Sequence, residues 1–474
     1  MNTAKNVIKN STWLFASNII MKIIASFVVI FLARKLGSEG FGQYSFVVAF
    51  VGFFGIIASF GFNSLMIRDI AKDKSLANKY FNNIMTLKIF FAIAALLSIF
   101  ILSFFIGKSP TIILAIYILG IELVVGGFAD TMRSIFQAYE RMEFDAITNI
   151  IEKVLWAALL LLVIFNNLSL VNIALAILVS TTFGLIITYF FLRKYITKFA
   201  FEIDKVFWRK IIIDALPFAL TGLFSLINFK IDQVLLSFMT TDIIVGWYSA
   251  AYKIIDILAL IPSILLTALY PVFSRFYKEN KYLLKKSFDF SLRYVIILCI
   301  PVVIGVFLIA DKIILLIYGQ SYSNSIDILK ILIFISLISF INTPLFVTLN
   351  AIGKQKITMI NTAITALVNI AMNLILIPIM SVKGAALATI VAEITFLILS
   401  SYQLHKFGLD LNLWKKSFKP VIAGVIMGIF MMLVLDWSIW VIIPCAALIY
   451  CGSLLLLREV KTEDMDLIKK VLKR

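Results

Sequence analysis

Within the stretch 214–256, two long apolar runs opened by Asp214 and joined by a short polar turn at Asp242 carry four charged residues of their own, Lys230, Asp232, Lys253 and Asp256. A charge at the middle of a bilayer costs about 2.5–3.5 kcal/mol on insertion scales, so these four are expected to face protein or trapped water. Their chemistry is that of ion pairing and charge recognition. Counted from a turn near Asp242, Asp232 and Lys253 are about ten and eleven residues away and fall at nearly the same depth, so a pair between them is expected to hold or gate the hairpin. Lys230 and Asp256 match more loosely.

A second candidate lies near the N-terminus, where Ser11, Asn18, Lys22 and Ser26 recur at helical spacing on one face. Lys22 is about 18 Å beyond Asn10 at ~1.5 Å per residue, close to the middle of a ~30 Å hydrocarbon core. Its own helix offers no counterion, so an anion is expected from a cargo phosphate or from Glu122 or Asp130. Asp130 and Arg133, three residues apart, are placed to pair on one face. Glu152 and Lys153 are adjacent and expected to point apart, with Lys153 in reach of Trp156 for a cation–π contact. A polar stripe of Thr358, Asn361, Thr365, Asn369 and Asn373 faces either a neighbouring helix or a cavity. The only histidine is His405, so neither a His-based metal site nor a general base can be assembled, and no cofactor is implied.

The elements that must position these residues are membrane spans. Of the 474 residues, 62% are hydrophobic, against roughly 45–50% in soluble domains, and the mean hydropathy is +1.04. The chain reads as an all-α membrane protein with about fourteen transmembrane helices. They are expected near 10–33, 41–62, 83–107, 111–137, 148–166, 169–192, 211–238, 244–274, 287–309, 326–350, 355–378, 381–404, 416–435 and 437–457. A charged amphipathic stretch after the second span, at 68–83, is expected to lie on the inner surface, and the segment 193–210 between the sixth and seventh reads as an interfacial helix. No signal peptide is expected ahead of the first span.

The net charge of +17 invites a nucleic-acid reading, which its distribution excludes. With the N-terminus inside, nearly all Lys and Arg in loops fall on one face, and only Arg34, Lys35, Lys108, Lys312 and Lys383 on the other. That is the positive-inside pattern of a multi-pass protein with both termini cytoplasmic. Cys299, Cys445 and Cys451 all lie in apolar runs and imply no disulfide framework.

The chain also repeats itself. NSTWLFASNII, opening the first span, is echoed by DALPFALTGLF, and FGQYSF by VGWYSA, at a constant offset through Asn10/Asp214, Gly42/Gly246 and Tyr44/Tyr248. QAYERME at Gln137 matches NAIGKQK at Asn350, and NIALAILVST at Asn172 matches GAALATIVAE at Gly384. The order of elements predicts two pseudo-symmetric six-helix lobes in parallel topology, 1–205 and 206–405, followed by two further helices and a tail at 406–474.

Taken in order, LGSEGFGQYS, QAYERMEFDAITNIIEK, GWYSAAYKIID and LNAIGKQK give the chain, over its whole length, a resemblance to the polysaccharide and oligosaccharide flippases of the multidrug, oligosaccharidyl-lipid and polysaccharide exporter superfamily. The resemblance implies movement of a polyprenyl-(pyro)phosphate-linked glycan across the cytoplasmic membrane by alternating access, without enzymatic chemistry. It leaves the coupling ion, proton or sodium, open, and brings glycosyltransferases of the same pathway into view as partners. Drug exporters of the superfamily are the alternative. They carry a cation-binding acid on the first helix, where this chain has Lys22 and no acid before Glu39. A membrane glycosyltransferase or polymerase would need catalytic groups on a long outer loop, and none of the loops is long enough.

Overall fold

The computed structural model describes residues 2–166, 169–195 and 199–459, with the side chains of 2–20, 23, 267 and 268 outside the described set. All regular elements among the described residues are helical. They are α1 (Asn2–Ser59), α2 (Phe62–Lys72), α3 (Ala77–Ser103), α4 (Pro110–Ala138), α5 (Met142–Asn166), α6 (Leu170–Tyr195), α7 (Lys205–Met239) and α8 (Asp242–Leu258), then α9 (Leu260–Glu279), α10 (Lys281–Leu308), α11 (Ala310–Ile317), α12 (Ser325–Ala351), α13 (Gln355–Met380), α14 (Val382–His405), α15 (Leu413–Leu433) and α16 (Ile439–Leu456). Among the described residues, thirteen helical stretches are long and apolar enough to cross a membrane.

The first of these stretches, Ile24–Lys72, is 49 residues long. At ~1.5 Å per residue that is about 73 Å, more than twice the ~30 Å hydrocarbon core, so it cannot be one straight crossing. It breaks at Gly37, with φ 69° and ψ 177°, a backbone region that glycine enters at little cost, and again at Phe60–Gly61, between α1 and α2. The two spans expected at 10–33 and 41–62 are thus joined through the kink at Gly37. The single helix expected over 244–274 is two, α8 and α9, divided at Ala259. Pro262 explains the division, because it has no amide hydrogen to offer the carbonyl of Leu258.

The interfacial helix expected over 193–210 is also corrected. Helix α6 continues to Tyr195, residues 199–204 are not helical, and Lys205 opens α7. Polar side chains of α3 hold this linker by its amides: Ala200 N donates to Asn82 Oδ1 (3.0 Å), Glu202 N to Thr86 Oγ1 (3.3 Å) and Asp204 N to Asn83 Oδ1 (3.1 Å). Asp204 then caps α7 by accepting from Phe207 N at 2.9 Å. That backbone donor, with Lys79 at 3.2 Å, holds the Asp204 carboxyl below the usual range.

By packing, the chain divides into two compact units, Met1–Gly246 and Trp247–Arg474. In the first unit, Phe62, Phe81, Ile135 and Phe136 lie in one buried cluster on α2, α3 and α4. In the second, Phe273, Phe288, Leu345 and Met427 join α9, α10, α12 and α15. Cys299 is buried there, Cys445 is half-buried and Cys451 is exposed.

Within the first unit the two repeats meet. A Cβ on Gly42 would lie 1.8 Å from the backbone oxygen of Asp242, and one on Gly246 would lie 1.8 Å from that of Ser38. Gly42/Gly246 and Ser38/Asp242 share the repeat offset, so the contact is reciprocal: each glycine rests on the counterpart of the residue that receives the other. Lys108 Nζ meets Asp242 Oδ1 at 2.5 Å beside this crossing, and Phe46 packs edge-on against Phe238 at 5.7 Å between ring centroids.

Candidate functional site

A set of ionisable side chains on spans of the first unit lies on α4 and α5, against α6. Arg133 donates through Nη1 to Asp130 Oδ1 at 3.1 Å and through Nη2 to Glu152 Oε2. Lys153 Nζ reaches Glu152 Oε1 at 3.2 Å. The expectation that Glu152 and Lys153 point apart is therefore wrong, because a four-carbon lysine stem curls back along the helix. The cation–π contact between Lys153 and Trp156 is replaced by this ion pair, and Trp156 is buried against Leu32 and Leu160.

The cluster has a dry side and an open side. Arg133 and Glu152 side chains are 7% and 6% exposed, whereas Asp130 and Lys153 are 59% and 42% exposed. Carboxylates and ammonium groups at this position along a span require water or a charged ligand on the open side. Gly184 on α6 makes the dry side fit: a Cβ there would fall 2.5 Å from Glu152 Oε2. One turn before Gly184 on α6, Thr181 Oγ1 donates to Glu122 Oε1 of α4 at 3.0 Å.

Sequence reasoning passed over two ionisable residues here. Lys88 on α3, 1% exposed, donates to the carbonyl of Gly127 and to Thr131 Oγ1, the latter at 2.8 Å. Glu393 on α14 accepts from Asn342 Nδ2 at 2.6 Å. Both lie inside expected spans, which was signal enough. By the repeat, Glu393 is the counterpart of Thr181, so each repeat ties the same two helices together through one carboxylate, supplied from opposite partners.

Lys22 is exposed on α1 and Ser26 is half-buried, while the Asn18 side chain lies outside the described residues. Neither proposed acid pairs with Lys22, since Asp130 is held by Arg133 and Glu122 accepts from Thr181. Asp232 is buried on α7 and Lys230 is half-buried beside it; Lys253 and Asp256 are half-buried on α8. Asn369 and Asn373 are fully buried on α13 and bonded to each other, Asn373 Nδ2 to Asn369 Oδ1 at 2.7 Å. Asn361 donates to Ser400 on α14 at 3.1 Å. Of these contacts, only Asn361 to Ser400 ties α13 to α14; the Asn369–Asn373 bond lies within α13. Among the described residues no cluster of His, Cys, Asp and Glu could hold a metal.

Helices of this number, length and hydropathy define a multi-pass membrane protein. Residues 7–277 match the family model described as polysaccharide biosynthesis protein, and the chain belongs to that family, within the superfamily that also includes the multidrug exporters. Residues 217–375 additionally match the MatE model. A putative O-antigen transporter of Shigella flexneri is 23% identical over 74% of this chain and 87% of its own length. A probable low-salt glycan biosynthesis flippase, Agl15 of Haloferax volcanii, is 22% identical over 90% of each chain. Among solved structures, the lipid II flippase MurJ in an inward closed conformation superposes with a TM-score of 0.79 at 16% identity, covering 94% of this chain and 99% of that one.

Proposed function

We propose that the protein carries a polyprenyl-(pyro)phosphate-linked sugar or oligosaccharide across the cytoplasmic membrane by alternating access, for polysaccharide or glycan assembly. The observation that carries this reading is Lys22. It is exposed on α1, about 22 Å before the break at Gly37 at ~1.5 Å per residue, and so near mid-membrane. No described carboxylate pairs with it, and an ammonium at that depth is stabilised by an anion. Lys acts as a point charge toward phosphate. The reciprocal Gly42/Gly246 crossing is then the closed end of the path, which parts in the opposite state. The relatives, named as glycan transporters and flippases, support the same reading.

The test is reconstitution of the full chain in liposomes loaded with a polyprenyl-pyrophosphate-linked fluorescent sugar. Lectin-accessible sugar is expected to rise on the trans face well above protein-free liposomes, with proton and sodium gradients applied in turn to identify the drive. The MatE match favours a second reading, cation-coupled drug export. Transport of a cationic dye with no movement of the lipid-linked sugar would establish that reading in place of the first.

Orientation is tested separately. In a cysteine-free background, Ser169→Cys and Thr241→Cys are expected to react with an impermeant maleimide added outside intact cells, and Lys281→Cys only after the membrane is opened. Labelling of Lys281→Cys from outside would invert the topology. The lobes at 1–205 and 206–405 are the units proposed to rock against each other, with 406–474 an addition to them.

A further inference from the structure

At one end of the second unit, a cavity of about 400 Å³ is lined by Tyr277, Lys281, Tyr282, Lys285, Lys406 and Phe407. The three lysines come from two places: the first turns of α10 supply Lys281 and Lys285, and the residue after α14 supplies Lys406. None of the three is in an ion pair with a described carboxylate. Of the acids nearby, Asp289 pairs with Lys416 at 2.7 Å and Glu279 lies 3.9 Å from Arg275; Asp410, 2.6 Å from His405 Nδ1, is the one acid whose charge also acts on Lys285. The positive end of the α10 dipole adds to the same field. Lys354, 5.3 Å from the centre of the Phe407 ring, adds another cation at the rim.

The aromatic residues place this cavity at the membrane surface. Tyr282 is 72% exposed, Tyr402 58% and Trp414 79%. All three stand at helix ends, where aromatic side chains with one polar edge mark the boundary between headgroups and hydrocarbon. Lys406 lies over the Tyr402 ring at 4.3 Å. A concave, aromatic-sided basket of three ammonium groups, with Asp410 acting on Lys285 alone, matches at headgroup depth a phosphate ester whose chains continue into the bilayer. We infer that this cavity is a binding site for the phosphate headgroup of a resident anionic phospholipid, a site distinct from the cargo path and independent of what the protein carries.

The experiment is titration of the detergent-solubilised full chain with dioleoylphosphatidylglycerol, dioleoylphosphatidylcholine and undecaprenyl phosphate, with bound lipid counted by native mass spectrometry. Phosphatidylglycerol is expected to bind in preference to phosphatidylcholine. The triple variant Lys281→Gln, Lys285→Gln, Lys406→Gln is expected to bind it on the order of 100-fold more weakly, at roughly five-fold per lysine. Removing the same charge elsewhere, with Lys205→Gln, Arg209→Gln and Lys210→Gln, is expected to leave binding unchanged. If the triple variant does not fold, Lys406→Gln alone is expected to weaken binding about five-fold. Wild-type affinity in the cavity variants, or an equal loss in the control, would overturn the site. Loss of undecaprenyl phosphate alone, with phosphatidylglycerol retained, would overturn it in favour of the cargo.

Discussion

Glu152→Ala is expected to leave the protein poorly folded. Arg133 is 6% exposed, and its Nε already has no hydrogen-bond partner among the described residues. Of its two carboxylates, only Glu152 lies on the dry side; Asp130 is the exposed one. Removing one partner of a buried pair costs about 3–5 kcal/mol, because the remaining charge stays desolvated. Replacing both partners with apolar residues avoids that penalty, so Arg133→Leu with Glu152→Leu should restore expression and thermal stability toward wild type. Asp130→Asn, on the open side, should lower stability by less than about 1 kcal/mol. The measurement is fluorescence-detected melting of each variant in detergent. Wild-type stability in Glu152→Ala would show that Arg133 finds solvent or another acid. If the folded double variant also transports normally, the pair is a strut and nothing more; if it folds but fails to transport, the charges act on cargo or ions.

The charges of this site were visible as ionisable residues inside apolar runs, but their partners were not. Asp130 and Arg133 share a helix, and spacing alone predicted their contact. The stronger contact of Arg133 is with another helix, and it depends on Gly184 on a third helix leaving room for the Glu152 carboxylate. No periodicity in the sequence encodes such a three-helix arrangement. Similarly, the repeat revealed Gly42 and Gly246 as counterparts, yet only three-dimensional packing sets each against the other repeat's equivalent backbone. The span boundaries failed where backbone chemistry intervenes within an apolar run, at Gly37 and ahead of Pro262, because hydropathy registers neither a left-handed residue nor a missing amide. The linker at 199–204 failed for a different reason: the asparagines that hold it lie over a hundred positions away on α3. Lys88 and Glu393 were legible by the rule applied to their neighbours and were overlooked.

Lys22→Ala is expected to abolish transport while leaving the protein folded and inserted. The argument rests on where the cation sits and on what does not hold it. Its side chain is exposed on α1, so truncation opens no cavity in a packed core and strands no acid, in contrast to Glu152→Ala. What is lost is a mid-membrane positive charge for a phosphate to cross by, and the whole effect should appear in turnover. Lys22→Arg keeps the charge, adds donors suited to phosphate oxygens and should retain much of the activity. Lys22→Glu should be as inactive as the alanine variant. The assay is trans-face exposure of lipid-linked sugar in liposomes, beside melting temperature and membrane yield for each variant. Wild-type transport by Lys22→Ala would remove Lys22 from the cargo path. Loss of folded protein, rescued by neutralising Glu122 or Asp130, would instead assign it to an ion pair formed in another state of the cycle.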